Sequence, residues 1–165
     1  MDISATRVKE LRDLSGAGVM DCRRALEEGE GSIERALEIL RAHGLAQSAR
    51  REAHETNQGL IEAYVHGDGR IGVLVEVQCE TDFVARTPEF RQLAHDLALQ
   101  IAAFNPPSVD GEATSPAAEL EETPLLNQPF VKDPGQTVRD VVQEVASKTR
   151  EKVVVRRFTR YQTGS

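Results

Sequence analysis

Two cysteines, Cys22 and Cys79, and four histidines are the side chains of this 165-residue chain with the means for nucleophilic or metal chemistry. Their spacing argues against both. The cysteines lie far apart and form no CxxC, so neither a disulfide framework nor a zinc cluster is expected, and a reducing compartment fits. No histidine is fixed beside either in sequence, so both read as small buried hydrophobes rather than nucleophiles. His43, His54, His66 and His95 show no HExxH or other ligand spacing, and no metal or cofactor is expected. Gly16-Ala17-Gly18 lacks the GxxxxGK[ST] pattern of a phosphate loop, and a turn between helices accounts for its glycines. The segment that resists a bland reading is Cys79-Glu80-Thr81-Asp82-Phe83-Val84-Ala85-Arg86. Spacing leaves Phe83 open between a core residue at a strand-to-helix corner and an exposed anchor for a partner's pocket. Asp82 is likewise open between a helix amino-terminal carboxylate and a contact.

The elements that must position these residues come in two styles. Residues 4–42 show three short helical patterns punctuated by glycine. Ala5, Val8, Leu11 and Leu14 mark the inner stripe of the first. Val19, Cys22 and Leu26 mark that of the second, and Ile33, Ala36, Leu37 and Leu40 that of the third, which Ser32 caps and Gly44 ends. A three-helix module over 1–44 is followed by a polar, partly helical connector over 45–57 and a core over 58–165. In the core the period changes to two. Gly59 to His66 and Arg70 to Gln78 flank the turn Gly67-Asp68-Gly69 as an antiparallel hairpin, with Ile71, Val73, Val75 and Val77 on one face. Thr87 and Pro88 open a helix with the stripe Phe90, Leu93, Ala94, Leu97 and Ile101. Residues 105–123 read as a polar surface loop, and Leu125 to Val131 as at best a short extended segment. Thr137 caps a helix with the stripe Val138, Val141, Val142 and Val145, and Lys152 to Tyr161 is a last strand. The fold class is α+β: a helical bundle, then a three-stranded, mainly antiparallel sheet packed with two helices.

Hydrophobic content of 39%, a net charge of −7 and a pI near 5.2 favour a protein partner over nucleic acid, which wants a basic surface. Arg156, Arg157 and Arg160 are the local exception, read as a solvated strand face ahead of an RNA contact. No secretory pattern and no membrane-length apolar run is visible, so a soluble, cytoplasmic protein is expected, without direct nucleic-acid binding.

Glu80-Thr81-Asp82-Phe83-Val84-Ala85-Arg86 resembles the signature of the elongation factor Ts family almost letter for letter. Gly16-Ala17-Gly18-Val19-Met20-Asp21-Cys22 with Ala25-Leu26 resembles its amino-terminal signature. The likeness runs on through Gly72-Val73-Leu74-Val75-Glu76, Gln128-Pro129-Phe130-Val131-Lys132-Asp133 and Val153 to Phe158, and breaks at 105–123, where many relatives carry extra helices. The resemblance implies a short bacterial form of a guanine-nucleotide exchange factor, not an enzyme. It would bind elongation factor Tu and promote GDP release by disturbing its Mg²⁺ and phosphate contacts. It implies a partner-binding segment of Thr81, Asp82, Phe83 and Val84, with Phe83 as wedge and Asp82 its polar neighbour. It also implies a ubiquitin-associated-like bundle that docks on the same partner, with Lys9, Arg12, Val19 and Met20 as contact candidates. A homodimer is left open, since short relatives can pair through their sheets. The rival readings are a ubiquitin-associated-like adaptor and an RNA-associated translation protein, each without exchange activity.

Overall fold

The computed structural model describes residues 3–111 and 119–164. The chain divides into two compact units, with the break after Ala53.

The first unit holds α1 (Ala5–Ser15), α2 (Val19–Glu28) and α3 (Ile33–Glu52). Ser4 caps α1 by accepting from the Arg7 amide, and Ser32 accepts from the Arg35 amide at the start of α3. Gly16 stops α1 at φ +67, a left-handed position that a side chain would strain, and its N–H closes on the Arg12 carbonyl at 2.8 Å. The core is small: Leu11, Cys22, Ala25, Leu26 and Ala36 are buried, with Val8, Ile33, Leu37 and Leu40 packed around them. Arg7 ties α1 to the turn before α3 through a 2.6 Å bond from Nη1 to the Gly31 carbonyl.

Two expectations fail in this unit. The third helix does not end at Gly44 but runs on to Glu52. Gly44 sits among good helix formers, no neighbour lies within 4 Å of where its Cβ would be, and one interior glycine costs only about 1 kcal/mol. Ala5, Leu14 and Val19, assigned to the inner stripes, are exposed instead. Ala5 opens α1, Leu14 lies in its last turn and Val19 opens α2, so all three sit at helix ends.

In the second unit β1 (Gln58–His66) and β2 (Ile71–Cys79) pair antiparallel from Gln58 opposite Cys79 to His66 opposite Ile71. β5 (Val154–Gln162) pairs antiparallel with the other edge of β2, giving the order β1-β2-β5. The short α4 (Asp82–Ala85) leads into α5 (Pro88–Phe104), whose predicted stripe is buried in one cluster with Val73, Val75 and Val77. α6 (Val138–Thr149) begins with the expected Thr137–Asp140 capping box, whose hydrogen bonds hold the Asp140 carboxyl below its ordinary pKa.

The stretch before α6 has no hydrophobic period because polar groups organise it. Two 3₁₀ turns, Leu120–Glu122 and Leu125–Asn127, precede a ribbon of β3 (Pro129–Phe130) and β4 (Asp133–Thr137). Gln100 of α5, fully buried, donates to Gln128 Oε1 and to the Pro129 carbonyl, and accepts from the Val131 amide at 2.8 Å. Gln128 donates in turn to the Leu120 and Thr123 carbonyls. Two buried amides thus satisfy backbone groups that the short β3–β4 ladder leaves over. The middle of the polar loop read at 105–123 lies outside the described residues.

The arginine cluster of the last strand is not one solvated face. Arg157 pairs with Glu76 across the sheet at 2.6 Å, while Arg160 bonds the Ala102 carbonyl near the end of α5 through two nitrogens at 3.2 and 3.1 Å. Three residues apart on an alternating strand, the two side chains leave opposite faces of the sheet, and the register shift between Glu76 and Val77 falls at Arg156.

Candidate functional site

β2 ends at Cys79, whose buried thiol donates to the Thr81 carbonyl at 3.1 Å. Burial, with the nearby Glu151 and Glu80 carboxylates, pushes this thiol up to about 11. Buried and held protonated, the thiol packs with the core. Thr81 caps α4, its Oγ1 accepting from the Val84 amide. Two residues past the end of α4, Thr87 caps α5: its hydroxyl donates to the Val84 carbonyl at 2.7 Å and accepts from the Phe90 amide. Two caps so close together allow a single turn of helix between them. Val84 and Ala85 face inward and join the core. Phe83 is turned out, 77% exposed.

Phe83 is therefore not a core residue, and a nearby phenylalanine makes the contrast. Phe90, on the first turn of α5, is 0% exposed. Around Phe83 the surface is charged on one side, where Asp82 and Arg86 form a 3.0 Å ion pair, both partners being well exposed. Such a pair adds little to stability. Asp82, Phe83, Arg86 and Thr87 line an open hollow. Chemically the arrangement offers contact: an aromatic ring and a carboxylate on a firmly capped turn. Val84 presents no side chain at this surface. It is the buried footing of the turn.

The first unit carries a second exposed apolar surface, around the turn between α1 and α2. Met20 is 58% exposed and Leu14 62%, with Val19 also exposed. Lys9 and Arg12 stand exposed on α1. The turn is stitched from within. Ser15 Oγ accepts from the Ala17 amide at 3.2 Å, and the Cys22 thiol lies 3.6 Å from the Ala17 carbonyl and 3.7 Å from Ser15 Oγ. Leu14 is the member of this surface that sequence reasoning missed. Its spacing matches the inner stripe, and only the early end of α1 at Gly16 frees it.

A family profile described as Elongation factor TS matches residues 46–118, a span that contains the Thr81–Val84 turn. Among curated proteins, Elongation factor Ts of Moorella thermoacetica is 44% identical, the match covering 98% of this chain and 96% of the relative. Elongation factor Ts of Rubrobacter xylanophilus is 45% identical over 94% and 96%, and that of Herpetosiphon aurantiacus 41% over the whole of both. The chain belongs to the elongation factor Ts family. Membership places it among the factors of translation elongation, and the exposed Phe83, Val19 and Met20 fall on segments whose likeness to this family was already visible in the sequence. Among the described residues, no helix is long and apolar enough to cross a membrane.

Proposed function

We propose that this chain is a guanine-nucleotide exchange factor that binds elongation factor Tu and promotes GDP release in the cytoplasm. The observation that carries the reading is the exposure of Phe83 on a turn whose neighbours Val84 and Ala85 are anchored in the core. An aromatic side chain so placed is held in water by the fold, and a partner's pocket is what makes it favourable. No catalytic side chain is required of an exchange factor. A partner that binds empty elongation factor Tu better than its GDP form weakens GDP binding by the same factor, because the coupling is reciprocal. Phe83 is the wedge and Asp82 its polar neighbour. A displaced Mg²⁺ contact in the partner loses much of its energy, since octahedral sites tolerate little distortion. Lys9, Arg12, Val19 and Met20, with Leu14, make the second contact surface on the same partner.

Phe83→Ala is the test. Removing an exposed ring leaves no cavity, so the melting temperature should hold. Release of labelled GDP should slow about thirtyfold, the equivalent of losing a hot spot of about 2 kcal/mol. Normal exchange by the folded variant would overturn the wedge. If instead a fragment ending at Ala53 carried all the affinity, an adaptor would be the better reading.

The same reading includes a homodimer. The sheet face away from α5 carries Val65 beside Gly72 beside Tyr161, and Ala63 beside Leu74 beside Thr159. Tyr161 is 76% exposed, and Ile61, Val65 and Leu74 are exposed with it, a continuous apolar strip that a second copy of the same sheet would cover. Sedimentation of the intact chain against Leu74→Glu checks it: a dimer that dissociates in the variant supports pairing, and a monomer in both refutes it.

A further inference from the structure

The turn that presents Phe83 is held from the far end of the second unit. After α6, Arg150 takes a left-handed conformation at φ 59 that swings the next residue, Glu151, back toward the end of β2. One carboxylate oxygen of Glu151 accepts from two successive backbone amides, Glu80 at 3.1 Å and Thr81 at 3.0 Å. The other accepts from the Thr81 hydroxyl at 2.5 Å. The link is returned in kind, for Glu80 Oε1 accepts from the Lys152 amide at 2.6 Å and lies 3.0 Å from His54 Nδ1. Residues 80–81 and 151–152 are therefore clasped by two carboxylates, each bonding the other strand's backbone.

A hydroxyl has one proton and two lone pairs. With the Thr81 proton directed at Glu151, a lone pair is left facing the Val84 amide, which is the capping bond of α4. Glu151 thereby fixes both the backbone entering the turn and the rotamer of its cap, and Phe83 is the next residue but one. We infer that Glu151 is a positioning residue for the Phe83 anchor, acting through Thr81 and not by touching the partner. A pre-set turn binds without the ordering loss that a mobile aromatic would suffer. The inference rests on the exchange reading above and adds to it a residue with no place in the signature segment.

The experiment combines Glu151→Ala, Glu151→Gln, Phe83→Ala and the double variant Glu151→Ala with Phe83→Ala in the full chain. GDP release from elongation factor Tu and hydrogen exchange of the Val84 amide are both measured. Glu151→Ala should slow GDP release about tenfold, within the range seen for coupled neighbours, and should speed exchange of the Val84 amide. In the Phe83→Ala background the same change should have no further effect on GDP release. Glu151→Gln keeps one acceptor oxygen and the side chain's volume, so it should fall between, and it serves as the test if the alanine variant unfolds. Unaltered Val84 protection, or an effect on release that adds fully to Phe83→Ala, overturns the positioning role. Normal release by Phe83→Ala, with Val84 still deprotected by Glu151→Ala, would instead sink the wedge and leave the positioning intact.

Discussion

The α1–α2 turn and the α4 turn solve one problem, holding apolar side chains in water, with different means. The first spreads the exposure over three aliphatic side chains, Leu14, Val19 and Met20, on a bundle whose fully buried core comprises Leu11, Cys22, Ala25, Leu26 and Ala36. The second concentrates it in one ring, Phe83, on a turn tied by the Glu151 carboxylate to a core built from a sheet and two long helices. A small core cannot hold a single long lever rigid, so a distributed patch of modest contacts suits it. A larger core with charge-assisted hydrogen bonds can aim one residue. The contrast predicts a broad docking surface on one unit and a mechanical contact on the other.

The largest effect that sharpens this difference is a cavity made in each core. Leu26→Ala and Leu97→Ala each remove a fully buried leucine side chain and should each cost about 2–5 kcal/mol. That is comparable with everything a bundle of this size commands, so Leu26→Ala should unfold residues 3–52 while the signals of the second unit stay native. Leu97→Ala should lower the melting of the second unit and leave it folded. Residue-resolved NMR separates the outcomes, and loss of both units together in either variant would break the comparison.

Next in size is the response of binding. Met20→Ala should weaken affinity for elongation factor Tu about fivefold, the cost of truncating one member of a shared patch, with little change in the GDP release rate at saturation. Raising the salt should slow association further through Lys9 and Arg12, whose exposed charges act mainly on encounter. The pattern expected of Phe83→Ala is the reverse, a lower maximal rate. If Met20→Ala lowered the saturating rate and spared affinity, the division of labour between the turns would be refuted.

The stripes of α5 and α6, the β1–β2 hairpin and the capping residues Ser32, Thr87 and Thr137 were legible in the sequence because each rests on local period or local hydrogen bonding. Illegible features depend on partners distant in the chain. The Gln100–Gln128 link and the Glu151 clasp join residues that no period connects. Phe83 is the instructive intermediate. Its family segment was recognisable, yet its exposure follows only from the inward turn of Val84 and Ala85 between two threonine caps. Val19 shows the opposite failure, a residue on an inward period whose place at a helix start turns it outward.

The smallest effect uses one cysteine in each unit as a reporter. Cys22 and Cys79 are both buried, so a thiol reagent reaches either only after the surrounding structure opens. Opening should be frequent in the small bundle and rare in the larger core, and alkylation at neutral pH should therefore mark Cys22 first. Cys79 adds a pH dependence of its own, since the fold raises its thiol from an ordinary 9.0 to about 11. Below pH 9 the thiol is protonated whether the chain is folded or not, and its contribution is constant. Between 9 and 11 the unfolded chain releases the proton and the folded one keeps it, so the stability of the second unit falls as pH rises. Cys79→Ala should flatten that part of the stability curve, and denaturant melts of the second unit at pH 8 and pH 10 measure the difference. Labelling of Cys79 ahead of Cys22 would mean that the second unit opens more readily than the bundle. A turn on such a core could not hold Phe83 as a lever.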